Sequence, residues 1–352
     1  MEYTTLLLCQ AFFFCIIIVW SACGNILVIS AVYKDYRLHT VTNYFIAALA
    51  VADLMVATMI MPFAFVLQVM GKWIFGPVFC TVWTSSDILC CTASILMLCA
   101  ISLDRYWAIS QPFLYSEKMT SHRCALIIAF IWLFSTVLAL AQVLWRFIIE
   151  SDSEKATCSY TRNREFRIVS SMSSFFVPLF IMVFTYCRIL IIALGQARAI
   201  KMQTCNGGCN DANRTSTSFK SRLREVKAVK TVGIVMGCFG FCWIPFFVLY
   251  VLEVFCLSCN FPPELGVVFL WLGYVNSAMN PLIYFFFNRQ YRRAFRKVLH
   301  SSFGCCSEEP NLQRTPVKDV IQPTNEANHT VHENTFTSQN GNTLSISKMS
   351  TV

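Results

Sequence analysis

The stretch WTSSDILCCTASILMLCAISLDRY, residues 83–106, is apolar or weakly polar except for one acid near its start and an Asp-Arg pair at its end. An ionised side chain in hydrocarbon costs about 3 kcal/mol or more and marks a functional site by default. Asp87 and Arg105 are 18 residues apart, which is five helical turns. They therefore share one face of a helix, separated by about 27 Å along its axis. One helix carries the residues for a charge-binding site near one membrane surface and for a switch near the other.

Other polar residues sit in apolar surroundings: Asn25, Asp53, Ser94, Asn276 and Asn280. Asn276 and Asn280 are spaced i,i+4 and share a helix face. Any of them alone would serve as hydrogen-bonding glue between helices, and Asn25 is read that way. Asp53 demands more, because a mid-membrane carboxylate needs a partner or a cation and no Lys or Arg lies at its depth. A small hard cation such as sodium, held by oxygens of Asp53, Ser94, Asn276 and Asn280, is one answer. A protonated Asp53 in a hydrogen-bonded cluster is the other. The stretch IVSSMSSFFVPLF, 168–180, places Ser170, Ser171 and Ser174 where they can share a face. The alternative is that their hydroxyls simply bond back to helix carbonyls. CFGFCWIPFF, 238–247, sets Trp243, Phe246 and Phe247 around Pro245, and Trp271 and Tyr274 follow at i,i+3. Pro178, Pro245 and Pro281 each remove a backbone hydrogen bond and predict kinks.

These residues need long apolar elements to hold them. The 352-residue chain is 56% hydrophobic and 13% charged, too apolar for an ordinary soluble domain. Continuous runs of spanning length lie near 5–33, 41–69, 77–105, 123–146, 167–195, 227–254 and 264–286. They do not alternate as β-barrel strands would. The expected fold is an all-α membrane protein with seven spanning helices in one domain over 1–300. The amphipathic run NRQYRRAFRKVL, 288–299, predicts a short eighth helix on the inner leaflet. Residues 301–352 read as a disordered cytoplasmic tail and 201–221 as a flexible loop, from their polar composition. No basic run or cleavage site precedes the first apolar segment, so it is read as a span and not a removed signal peptide. Lys and Arg gather in the loops after spans one, three and five and after span seven. That bias puts the N-terminus outside and the C-terminus in the cytoplasm. It also accounts for the net charge of +9 without nucleic acid.

Most of the 18 cysteines fall within spans. Cys80, Cys158, Cys256 and Cys259 fall on the outer side, where oxidation is allowed. A Cys80–Cys158 bond would tie the third span to the second outer loop, and Cys256–Cys259 would close a small loop. Four free thiols remain the alternative, since spacing does not fix connectivity. Cys305 and Cys306, just past the eighth helix, are candidates for palmitoylation. The terminal Ser350-Thr351-Val352 has the form of a PDZ-domain ligand.

Taken in order, Gly24-Asn25, Leu49 to Asp53, Asp104-Arg105-Tyr106, Trp132, Pro178 with Tyr186, Cys242-Trp243-Ile244-Pro245 and Asn280-Pro281-Leu282-Ile283-Tyr284 resemble the rhodopsin-like G-protein-coupled receptors, and within them the biogenic-amine receptors, over about residues 10–300. The resemblance implies ligand-driven activation of a heterotrimeric G protein, with arrestin and receptor kinases as further partners. It implies that Asp87 takes the ligand ammonium and that Ser170, Ser171 and Ser174 face ring hydroxyls or an indole N–H. Trp243, Phe246, Phe247, Trp271 and Tyr274 enclose the ring, with Tyr160 as a lid. It implies a resting pair between Arg105 and Glu225, with Asp104 as Arg105's other partner, and Tyr186 and Tyr284 supporting Arg105 after activation. Ile95, Pro178 and Phe239 match the family's packing triad between pocket and switch.

Other classes fit less well. An opsin needs a Lys where Tyr274 stands, and residues 261–288 contain none. A transporter would want repeats or a carboxylate relay. A membrane enzyme would want HExxH, GxSxG or paired catalytic carboxylates, and none is present. No cofactor is expected beyond an allosteric sodium ion. Three serines favour a catechol or phenol amine: dopamine, octopamine or noradrenaline. Serotonin, trace amines and histamine are the alternatives. The run REVKAVKTVGIVMG, 224–237, a short third inner loop and Phe113 resemble receptors that raise cyclic AMP. Inhibitory or calcium-mobilising coupling is the alternative.

Overall fold

A computed structural model describes the backbone of residues 2–148, 158, 160, 163–206, 212–256, 259 and 261–303, and the side chains of 10–115, 117–147, 158, 160, 163–195, 231, 233–256, 259 and 261–301. Among the described residues there is no strand, and seven helices are long and apolar enough to cross a membrane. They are α1 (Gln10–Lys34), α2 (Val41–Met70), α3 (Pro77–Ser110), α4 (Ser121–Phe147), α5 (Arg164–Gly195), α6 (Gly233–Phe255) and α7 (Pro263–Phe287). A two-turn helix, Pro112–Lys118, links α3 to α4. The short helix α8 (Arg289–Phe303) follows α7.

The helices around 201–221 run further than the loop reading allowed. One continues to Asn206 and the next begins at Ala212, so α6 is the apolar part of Ala212–Phe255. Polarity of side chains does not break a helix that two apolar spans already nucleate, because propagation costs far less than initiation. Glu225, Cys305, Cys306, Ser350, Thr351 and Val352 lie outside the described side chains, as does the tail from 304.

α3 is the most deeply buried span and packs against α2, α4 and α5, while α7 closes onto α1 and α6. Two prolines reshape their helices. Pro62 and Pro178 each follow a wider, π-helical turn, Val56–Ile60 in α2 and Met172–Phe176 in α5. A proline ring clashes with the carbonyl four residues back and offers no N–H, and a turn holding one extra residue relieves both problems. Pro245 and Pro281 instead sit inside unbroken helix. Gly273 permits α6 to approach α7, since a Cβ there would lie 2.7 Å from the Trp243 ring.

α8 is held by its apolar face. Tyr291, Ala294, Phe295 and Val298 recur at helical spacing and are all buried against α1, α2 and α7. The Tyr291 hydroxyl donates to Asn43 at 3.2 Å. Two disulfides mark the opposite end of the bundle: Cys80–Cys158, with Cα atoms 5.7 Å apart, and Cys256–Cys259, at 5.3 Å. Below, the two ends are called the disulfide end and the α8 end.

Candidate functional site

Asp87 lies on α3 two turns inside the disulfide end and is 4% exposed. Its carboxylate accepts from the Tyr274 hydroxyl of α7 at 3.2 Å, from the Cys91 thiol one turn along α3 at 3.2 Å, and from the Tyr160 hydroxyl. Tyr160 stands two residues after Cys158, so the disulfide to Cys80 anchors it beside α3. Burial, and then the Asp87 carboxylate, push the Tyr160 phenol well above its usual pKa. Among the described residues the partners of Asp87 are thus two phenols and a thiol, with no cation.

Further aromatic rings run on from the two phenols that meet this acid. Trp243 is 6.0 Å from Phe246 and 5.8 Å from Phe247, and Trp271 is 5.7 Å from Tyr274. Phe175 of α5 stacks on Phe247 at 4.2 Å and meets Phe239 at 5.8 Å, joining the fifth and sixth helices. Phe14 of α1 stacks on Trp271 at 3.9 Å. Ser170, Ser171 and Ser174 are buried on α5, and their hydroxyls bond back to helix carbonyls: Ser170 and Ser171 to Arg167 at 3.3 and 2.6 Å, Ser174 to Ser170 at 2.6 Å. That is the local bonding the sequence left as the alternative to ligand-facing hydroxyls. A hydroxyl that donates to a carbonyl still has lone pairs for a ligand donor. Ile95 and Phe239 are almost fully buried and Pro178 is buried with them.

Asp53 forms a second cluster nearer the α8 end. It accepts from Ser94 at 2.9 Å, Ser277 at 2.8 Å and Asn280 at 2.8 Å, so α2, α3 and α7 meet on one carboxylate. Ser277, which the sequence reading did not single out, donates to Asp53, while Asn276 is buried without being one of its partners here. The oxygens present suit a hard cation. Asn25 donates to the Ser277 carbonyl at 3.1 Å and to the Ser21 carbonyl at 2.9 Å, as interhelical glue.

At the α8 end, Arg105 pairs with Asp104 at 2.7 Å. Asp104 also accepts from Thr42 at 2.5 Å and Tyr115 at 2.7 Å, two residues missed in the sequence. Burial, followed by the hydrogen bond to Asp104, pushes the Tyr115 phenol up to about 12. Glu225, the other expected partner of Arg105, has no described side chain. Tyr186 and Tyr284 are occupied elsewhere: Tyr186 packs on the Ile189–Ala193 face of α5, and Tyr284 stacks on Tyr291 at 5.3 Å. Phe113 is 93% exposed on the linker helix.

Arg167 and Tyr250, also unremarked in the sequence, complete the disulfide end. Arg167 is 9% exposed and donates to Glu253 at 2.7 Å and to the Tyr250 carbonyl at 2.6 Å, with its guanidinium 4.0 Å over the Tyr250 ring. Tyr250 stacks on Phe246 at 5.7 Å and meets Tyr160 edge-on at 6.4 Å. The hydrogen bonds of Arg167 cross 83 and 86 positions of chain, beyond any local pattern.

Residues 24–284 match the family described as 7 transmembrane receptor (rhodopsin family). The chain is 42% identical over 312 residues to a D(5)-like dopamine receptor of Takifugu rubripes, covering 83% of this chain and 67% of the relative. It is 37% identical over 310 residues to an octopamine receptor beta-2R of Chilo suppressalis, covering 82% and 78%. It is 39% identical over 310 residues to the 5-hydroxytryptamine receptor 4 of Homo sapiens, covering 83% and 78%.

Proposed function

The chain belongs to the rhodopsin family of seven-transmembrane receptors, in its biogenic-amine branch, and from that premise we propose that it is a plasma-membrane receptor for a catechol or phenol amine, dopamine first, that raises cyclic AMP through a stimulatory G protein. It is a receptor and not an enzyme. One observation carries the ligand class: Asp87 is a buried acid whose described partners, two of them aromatic phenols, are all neutral. A ligand ammonium supplies the missing counter-charge, and the ring faces add about 0.5–2 kcal/mol of cation–π attraction. The relatives' names support amines and put dopamine receptors beside octopamine and serotonin receptors. The three buried serines support a hydroxylated ring.

The loops rich in Lys and Arg support an outer N-terminus and a cytoplasmic α8 end. The G protein then docks where Arg105 lies, and the exposed Phe113 offers it an apolar contact. Activation moves α6 outward and opens a groove for a partner helix. Arrestin and receptor kinases share that face. The Asp53 cluster takes a sodium ion through Asp53, Ser94, Asn276 and Asn280, with Ser277 added on its bond to Asp53. Cys305 and Cys306 carry palmitate and Ser350-Thr351-Val352 binds a PDZ domain. Loss of hydroxylamine-labile label in Cys305→Ser/Cys306→Ser, and loss of PDZ capture in Val352→Ala, test those two.

The deciding experiment reads cyclic AMP and calcium in cells expressing the wild type and Asp87→Ala, exposed to dopamine, octopamine, tyramine, noradrenaline, serotonin and histamine. Dopamine is expected to act at the lowest concentration on wild type. Removing the carboxylate is expected to cost about 2–5 kcal/mol, a loss of about 30-fold or more in potency. A calcium response without cyclic AMP overturns the coupling. A surface-expressed receptor that answers no amine overturns the ligand class.

A further inference from the structure

We propose that Arg167 is a specificity-determining residue of the Asp87 chamber, reading an acceptor oxygen on the ring end of the amine; this rests on the amine-receptor reading of Asp87. Three observations converge on it. Arg167 is a cation only 9% exposed, in the first turn of α5 at the disulfide end. Its Nη2 is spent on Glu253 and the Tyr250 carbonyl, but its Nε–H is buried with no hydrogen-bond partner among the described residues. A buried donor left without an acceptor is unfavourable, and an occupant that brings an acceptor relieves it.

The surroundings join Arg167 to the ligand path at two points. Its carbonyl receives the hydroxyls of Ser170 and Ser171, so the side chain that carries the charge stands one turn from the serines. Its guanidinium covers the Tyr250 ring, and Tyr250 meets Tyr160, whose hydroxyl is on Asp87. The run of contacts thus has an anion, Asp87, at one end and a cation, Arg167, at the other, with the Tyr160 and Tyr250 rings between. That polarity matches an amine whose far end is electron-rich oxygen, such as a phenol or a catechol. Glu253, 42% exposed at its side chain, partly neutralises Arg167 and competes with the ligand oxygen for it.

The same pair also clasps α5 to α6, so the test must separate recognition from bracing. Arg167→Gln and Glu253→Gln are compared with wild type for tyramine, dopamine and 2-phenylethylamine, an amine with no ring oxygen, with surface expression measured throughout. Recognition predicts that Arg167→Gln weakens tyramine and dopamine by about tenfold or more. It leaves 2-phenylethylamine within about threefold. Glu253→Gln, which frees the guanidinium, is expected to strengthen the two ring-oxygen amines and leave 2-phenylethylamine alone. A clasp without recognition moves both variants the same way for all three amines, and that result overturns the proposal. Arg167→Gln with no effect on any of them also overturns it. If wild type at the cell surface answers none of the three, the amine reading itself fails and the proposal falls with it.

Discussion

Asp53 accepts three hydrogen bonds, and each comes from a neutral group. Neutral donors ease a carboxylate's burial but do not cancel its charge, and the proposed sodium ion would supply what they lack. Asp53→Asn keeps the shape and removes the charge. Agonist affinity in wild type is expected to fall as sodium replaces a bulky organic cation, and in Asp53→Asn to stay flat. Equal sodium sensitivity in both would remove the ion from this cluster. Asp53, Ser94 and Asn280 were legible in the sequence because polar residues in apolar spans are few. Ser277 was not. Residues 276 and 277 both share a face with Asn280, at i+4 and i+3, so spacing gives no way to choose between them. Only the rotation of α7 against α2 decides it, and that rotation is set by packing.

The seven spans were legible because crossing a bilayer demands long continuous apolar runs, and each of these helices contains one. α8 was legible for a different reason, the recurrence of Tyr291, Ala294, Phe295 and Val298 on one side of a basic helix. What the elements do internally was less legible. Proline announces a disturbance without saying which, so the wide turn before Pro178 was not foreseen, and Pro62 went unremarked. Close approach was hidden as well. Gly273 is one of 13 glycines, and only the Trp243 ring against it shows that α6 and α7 meet there. Gly273→Ala forces that ring aside. Overpacking of this kind costs about 1–3 kcal/mol, so the purified receptor is expected to melt a few degrees lower. An unchanged melting temperature would mean that the α6–α7 contact yields freely.

At the scale of the whole molecule, α3 carries Asp87 toward one end and Arg105 toward the other, buried along most of its length. A helix held on several sides moves as a rod, so a shift at either residue is felt at both ends. Contacts far apart in sequence were the least legible feature, as with Arg167 on Glu253 and Tyr250, whereas the Cys80–Cys158 bond was a pairing the sequence offered. Cys158 fastens Tyr160 two residues away from a bond to Cys80, itself seven residues before Asp87. The phenol is therefore presented to the carboxylate at an effective concentration on the order of millimolar. It behaves as a built-in competitor of every amine that seeks the same oxygens. Tyr160→Phe keeps the ring and removes the competitor. All amines are expected to bind tighter by one common factor in radioligand competition, whatever their rings carry. A gain confined to some amines, or a loss for all, would make Tyr160 a ligand contact instead. On this view each affinity measured for the receptor is a net figure, the ligand's own hold on Asp87 less what it takes to displace a rival that never leaves.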